Sequence, residues 1–169
     1  EAYYGVLLAG CVLVPLNLRL APAELQFVLD DCGAAVLALH PSLAELAEPL
    51  AVPNRVLLGP DYLDGAAPTA AAPVEDEDAV CELFYTSGST GRPKGVMLTH
   101  RNLHTHAVDS ALTMGSTHRD VVLHTIPLFH VNGWGTPHWV TALGGRHVML
   151  DRFDAGDVLR LVEAERVTR

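Results

Sequence analysis

The groups best suited to chemistry on an anion are concentrated in one stretch, Tyr85-Thr86-Ser87-Gly88-Ser89-Thr90-Gly91-Arg92-Pro93-Lys94-Gly95. Glycines let the backbone turn sharply and bring its N–H groups close to a ligand. The hydroxyls of Thr86, Ser87, Ser89 and Thr90 add donors, and Lys94 adds a compact positive charge suited to phosphate. Such a loop can wrap a polyphosphate. A solvated turn shares the same Ser, Gly and Pro content, so composition leaves both readings open. Order narrows them. A Walker-type loop reads G-x-x-x-x-G-K-[ST] and opens a helix. Here Lys94 lies between Pro93 and Gly95, and the strand-like run Val96-Met97-Leu98 follows. A phosphate-loop kinase or hydrolase is disfavoured on that ground.

A second stretch with chemical potential is Ile126-Pro127-Leu128-Phe129-His130-Val131-Asn132-Gly133-Trp134-Gly135-Thr136. It falls where a predicted strand meets a predicted helix, and ligands collect at the carboxyl ends of strands in open α/β sheets. Pro127 ends the strand, while Gly133 and Gly135 are expected to loosen the backbone around a large aromatic. A packed loop, with Phe129 and Trp134 in the core, is the competing reading.

The first stretch, continuing through Val96-Met97-Leu98-Thr99-His100-Arg101-Asn102, closely resembles the phosphate-loop signature of the adenylate-forming (AMP-binding) enzymes. The Pro-x-Phe-His pattern that follows is similar to the second landmark of the acyl-CoA synthetases. With Val131-Asn132-Gly133-Trp134 after it, it looks most like the branch that activates medium- and long-chain fatty acids. The resemblance implies ATP-dependent activation of a carboxylic acid to an acyl-adenylate, then transfer to coenzyme A, with an aryl or other acid as the alternative substrate. It implies that Thr86, Ser87, Gly88, Ser89, Thr90, Gly91 and Lys94 hold the phosphates, with Thr86 nearest a Mg2+ ion and Lys94 and Thr86 catalytic. It places His130, Val131 and Trp134 at the acid. The downstream motifs for adenine, ribose and metal are absent, so the chain alone is expected to be inactive and to require the remainder of its own chain. A non-enzymatic scaffold module is the last alternative.

The elements that must position these residues alternate. Apolar strand-like runs at Val12-Leu13-Val14, 34–39, 55–58, 80–84, 96–98, 120–126 and 146–150 are interleaved with helical patterns. The helices are expected at 3–9, 23–31, 42–50, 100–114, 137–143 and after Asp154. Alternation at this spacing implies βαβ units and an α/β fold with a largely parallel sheet. Pro22 suits a first helical turn and Gly33 a helix end. Thr99 is placed to cap the helix from His100, whose stripe is Leu103, Ala107, Ala111 and Met114. The run 34–39 is apolar throughout, as in a strand covered on both faces.

The whole of 1–169 is expected to be part of one large N-terminal adenylation domain, opening and closing on elements already under way. Residues 59–78, rich in Ala and Pro and ending in Glu75-Asp76-Glu77-Asp78, read as an exposed connection within it. A net charge of −9 argues against nucleic-acid binding, which needs a basic surface. No apolar run reaches a membrane span. Cys11, Cys32 and Cys81 read as buried free thiols of a reducing, cytoplasmic setting, with peripheral membrane attachment left open. His100, His104 and His106 approach ligand spacing but lack a partner set for zinc.

Overall fold

The computed structural model describes residues 2–62, 64, 70–86 and 92–169, with the backbone alone at 131 and 132. Two compact units form, residues 1–74 with 85–96, and residues 75–84 with 97–169.

The first unit contains α1 (Ala2–Leu8), α2 (Pro22–Asp31), β1 (Val36–Leu39), α3 (Ala44–Ala47) and β2 (Asn54–Leu57). Helix α2 starts at Pro22, whose missing N–H costs nothing in a first turn. The Glu24 carboxylate accepts the Ala21 N–H at 2.8 Å. The chain leaves the helix through Gly33 at φ +62°, a conformation that favours glycine. The apolar spacing of α2 buries Leu25, Val28 and Leu29, and a core forms from Leu25, Leu29, Leu37, Leu39, Ala47 and Leu50. Strands β1 and β2 are parallel, with Val36 opposite Asn54 and Leu39 opposite Leu57.

Three expectations change here. Leu37 and Leu39 are buried but Val36 and Ala38 are exposed, so β1 is covered on one face only by the described residues. Of Val12-Leu13-Val14, only Leu13 makes a bridge, because Pro15 brings no N–H to a ladder. The helix at 42–50 shortens to a 3-10 turn over Pro41–Leu43 followed by α3.

Strands β3 (Val80–Thr86) and β4 (Lys94–Thr99) are hydrogen-bonded neighbours that run through both units. The connection between them is too short for a parallel crossover, so the pair is antiparallel.

The second unit adds α4 (His100–Thr113), β5 (Val121–His124), α5 (Val131–Leu143), β6 (Arg146–Met149) and α6 (Ala155–Glu165). Strands β5 and β6 are parallel, with Val121 opposite Arg146 and His124 opposite Met149. Ala107, Val122, Trp139 and Val140 form the core. Thr99 caps α4 reciprocally: its Oγ1 accepts the Asn102 N–H at 3.2 Å, and Asn102 Oδ1 accepts the Thr99 N–H at 3.0 Å. Leu103 and Ala107 are buried as their spacing predicts, but Met114 follows the last helical turn and is exposed. Asp154 caps α6, accepting the Asp157 N–H at 3.0 Å.

The thiols are all free, and they differ. Cys11 is exposed, against expectation, while Cys81 is buried and its pKa is pushed up to about 11 by burial and then by the Glu82 charge. Among the described residues no helix is long and apolar enough to cross a membrane.

Candidate active site

Thr86 is the last residue of β3 and Lys94 the first of β4; both are exposed, at the facing ends of neighbouring strands. Ser87, Gly88, Ser89, Thr90 and Gly91 lie outside the described residues. Lys94 begins a strand, two residues earlier than Val96, and so does not open a helix as a Walker lysine does. Among the described residues it forms no ion pair.

The second stretch is a helix start rather than a loosened loop. Helix α5 begins at Val131 and carries Trp134 in its first turns, with Pro137 inside it. The exposed His130 sits at the head, where its carbonyl accepts the N–H groups of Gly133 at 2.8 Å and Trp134 at 3.1 Å. The two glycines are there for close approach. A Cβ at Gly133 would meet the Pro127 carbonyl oxygen at 2.5 Å, and one at Gly135 would meet His106 Nε2 at 1.9 Å. The side chain of Val131 lies outside the description.

Trp134 is half-buried within an aromatic and polar surround. His106 of α4 stacks on its indole with centroids 4.8 Å apart, Phe84 of β3 lies at 5.6 Å, and His138, one turn along α5, meets it edge-on at 5.9 Å. Glu82 and Phe84 alternate on β3 and share a face. Glu82 is wholly buried, with Oε1 3.2 Å from His138 Nε2. That is ion-pair distance without hydrogen-bond geometry, and among the described residues neither Glu82 oxygen has a hydrogen-bond donor.

A further polar chain is absent from the sequence reading. His124 Nε2 lies 2.9 Å from His147 Nδ1, and His147 Nε2 lies 2.9 Å from Thr141 Oγ1. Burial holds the His124 pKa down at about 4, with the adjacent His147 adding to the effect, and burial lowers His147 too. A charged residue inside the apolar run 80–84 was the visible signal for Glu82, whereas no local signal marks His124 or His147. Among the described residues no three His, Cys, Asp or Glu side chains cluster as a metal set, and His100, His104 and His106 do not converge as one.

The largely parallel α/β framework thus sets a hydroxyl, Thr86, and a lysine, Lys94, at the two edges of a glycine-rich stretch of sequence. The family model described as AMP-binding enzyme matches residues 1–169, and the chain belongs to that family. A feruloyl-CoA synthase of Amycolatopsis sp is 43% identical over 165 residues, covering 95% of this chain and 33% of that protein. A long-chain-fatty-acid–CoA ligase of Thermus thermophilus is 33% identical over 183 residues, covering 99% of this chain and 34% of that protein. Among solved structures, the inhibitor-bound N-terminal domain of FACL13 from Mycobacterium tuberculosis matches with a TM-score of 0.85 and 33% identity, over 98% of this chain and 44% of that one. The O-succinylbenzoate coenzyme A synthetase of Bacillus subtilis, in complex with ATP and magnesium ion, matches with a TM-score of 0.83 and 32% identity, over 99% of this chain and 45% of that one. The chain thus spans about a third of the length of the curated relatives it matches.

Proposed function

We propose that this chain supplies the phosphate loop and one wall of the acid site in an ATP-dependent acid–CoA ligase, and that the acid is aromatic rather than a plain alkyl chain. The carboxylate oxygen of the acid attacks the α-phosphorus of ATP and pyrophosphate leaves; the thiol of coenzyme A then displaces AMP to give the thioester. Lys94 neutralises charge on the departing pyrophosphate, where a charge-assisted contact strengthens as the bond breaks. The Thr86 hydroxyl, exposed at the end of β3, is a hard oxygen donor of the kind Mg2+ accepts. Such an ion keeps several of its waters, so one protein hydroxyl fits the donor set. When bound, it spreads the charge of the phosphate oxygens. His130 and Trp134 line the acid side, with Val131 beside them. The bound ATP and magnesium of the succinylbenzoate ligase support these cofactors.

The observation that carries the acid class is the surround of Trp134: His106, Phe84 and His138, backed by the buried Glu82. Flat aromatic faces with polar edges suit an aryl acid, and an alkyl tunnel calls for aliphatic walls. The 43% identity to a feruloyl-CoA synthase points the same way. A fatty-acid substrate is the second reading, favoured by the Val131-Asn132-Gly133-Trp134 run and by the Thermus ligase. Pyrophosphate exchange by the complete enzyme, with ferulate, cinnamate, benzoate, octanoate and palmitate, separates the two. The aryl reading requires kcat/KM for the cinnamates to exceed that for the alkyl acids; a profile peaking on octanoate or palmitate assigns the fatty acid.

A further inference from the structure

Helix α2 ends on two aspartates, Asp30 and Asp31, with no basic residue in its last turn. Negative charge at a helix C-terminus opposes the helix dipole, so this placement works against the helix itself. Asp30 is occupied locally, accepting from Gln26 Nε2 at 2.7 Å. Asp31 reaches across 54 positions of sequence, where its Oδ2 accepts the Tyr85 hydroxyl at 2.6 Å, a short charge-assisted bond. Burial, and next the Asp31 carboxylate, push the Tyr85 phenol above the usual tyrosine range, so it remains a donor at any working pH.

The Tyr85 ring also touches the other stem of the phosphate loop. A Cβ at Gly95 would stand 3.2 Å from Cζ and 3.4 Å from the hydroxyl oxygen, so the absence of a side chain there lets the ring approach closely. Tyr85 directly precedes Thr86, and Gly95 directly follows Lys94. The ring carried by the neighbour of Thr86 therefore packs on the neighbour of Lys94, and its hydroxyl is tied to the end of α2. All of these residues lie within the first unit.

We propose that Asp31 and Tyr85 are positioning residues of the phosphate loop, the Asp31–Tyr85 bond fixing the ring that spaces Thr86 from Lys94. This rests on the assignment of that loop to ATP. A purely structural role fits less well. The packing of α2 is carried by Leu25, Val28 and Leu29, while Asp31 is exposed and its charge is unfavourable where it stands.

The experiment is calorimetric titration of the complete enzyme with MgATP, which needs no knowledge of the acid, alongside melting curves. Asp31→Ala and Tyr85→Phe should each weaken MgATP by roughly three- to tenfold with nearly unchanged melting, the loss expected of one hydrogen bond. The double variant should be no weaker than the weaker single, because both remove the same bond. Asp31→Asn keeps an acceptor and should restore binding to within about twofold. Wild-type affinity in Asp31→Ala, or losses that add in the double variant, overturn the inference. If Lys94→Ala loses MgATP while Asp31→Ala does not, only the positioning role falls. If the wild type binds no MgATP, the loop assignment falls and takes this inference with it.

Discussion

The imidazole of His106 lies face to face with the indole of Trp134, centroids 4.8 Å apart and planes inclined by 29°. Gly135 makes the contact possible, since a methyl there would occupy the position of His106 Nε2. Gly135→Ala should therefore expel the imidazole from its seat and cost about 1–3 kcal/mol, the usual scale of overpacking. Combining it with His106→Ala removes the clash. Denaturant melts should show the double variant more stable than Gly135→Ala alone; equal or lower stability would mean that the imidazole can rotate away freely.

Trp134 itself separates the acid site from mere packing. Trp134→Ala in the complete enzyme should change preference among acids far more than it changes the KM for ATP. Reshaping an apolar wall by a few carbons is worth about 1–3 kcal/mol, or roughly ten- to a hundredfold in selectivity. A residue serving only the core would instead cost about 3–5 kcal/mol and lower activity on every acid alike. The panel of acids used for the substrate test, measured beside a melting curve, decides between these outcomes.

Lys94→Ala should slow adenylation without unfolding anything. The side chain is exposed at the first residue of β4 and supports no core. Losing a charge-assisted contact of ~1.5–3 kcal/mol corresponds to roughly ten- to a hundredfold in rate. Wild-type adenylation at saturating ATP, measured by pyrophosphate exchange, would remove Lys94 from the mechanism.

Much of this architecture could be read from local pattern. Pro22 and Gly33 bound α2 as their backbone preferences require, and the Thr99–Asn102 cap starts α4 where a hydroxyl precedes helical spacing. The beginning of α5 was hidden, because Gly133, Gly135 and Pro137 all argue against helix by propensity. Tertiary contact decides otherwise: the glycines admit Pro127 and His106 at distances that no side chain would allow. Burial in β1 was overestimated since an apolar run does not say whether both faces find a cover. Pairs such as Asp31–Tyr85, Glu82–His138 and His124–His147 join residues far apart in sequence, and no periodicity encodes them.

The buried Glu82–His138 pair makes a prediction about asymmetry. Removing His138 leaves the wholly buried Glu82 carboxylate without its ion-pair partner, and His138→Ala should cost about 3–5 kcal/mol. Replacing both, as Glu82→Leu with His138→Phe, should recover most of that loss. Equilibrium unfolding in urea measures both variants. A double variant as unstable as the single would show that packing volume, rather than the stranded group, sets the cost.

Acid should weaken the fold through His124 before it reaches the carboxylates. His124 is buried beside His147, and its folded pKa of about 4 lies below the ordinary 6.5 because burial disfavours the imidazolium. The unfolded chain therefore takes up a proton near pH 6.5 that the fold refuses until about pH 4. This contribution to stability is complete above pH 6.5, falls progressively toward pH 4 and levels off below it. Its full size is about 3 kcal/mol. The lowered pKa of His147 acts in the same direction. Asp120 also has a lowered pKa, through the Thr117 N–H first and then Thr168 and Arg169, so its contribution is lost only below about pH 3.8. The two windows are thus distinct. Melting temperatures taken from pH 7.5 down to 4.5 should hold until about pH 6.5 and then fall in the wild type, and His124→Asn should flatten that fall while lowering stability at neutral pH. An unchanged slope in His124→Asn would assign the acid sensitivity to other groups.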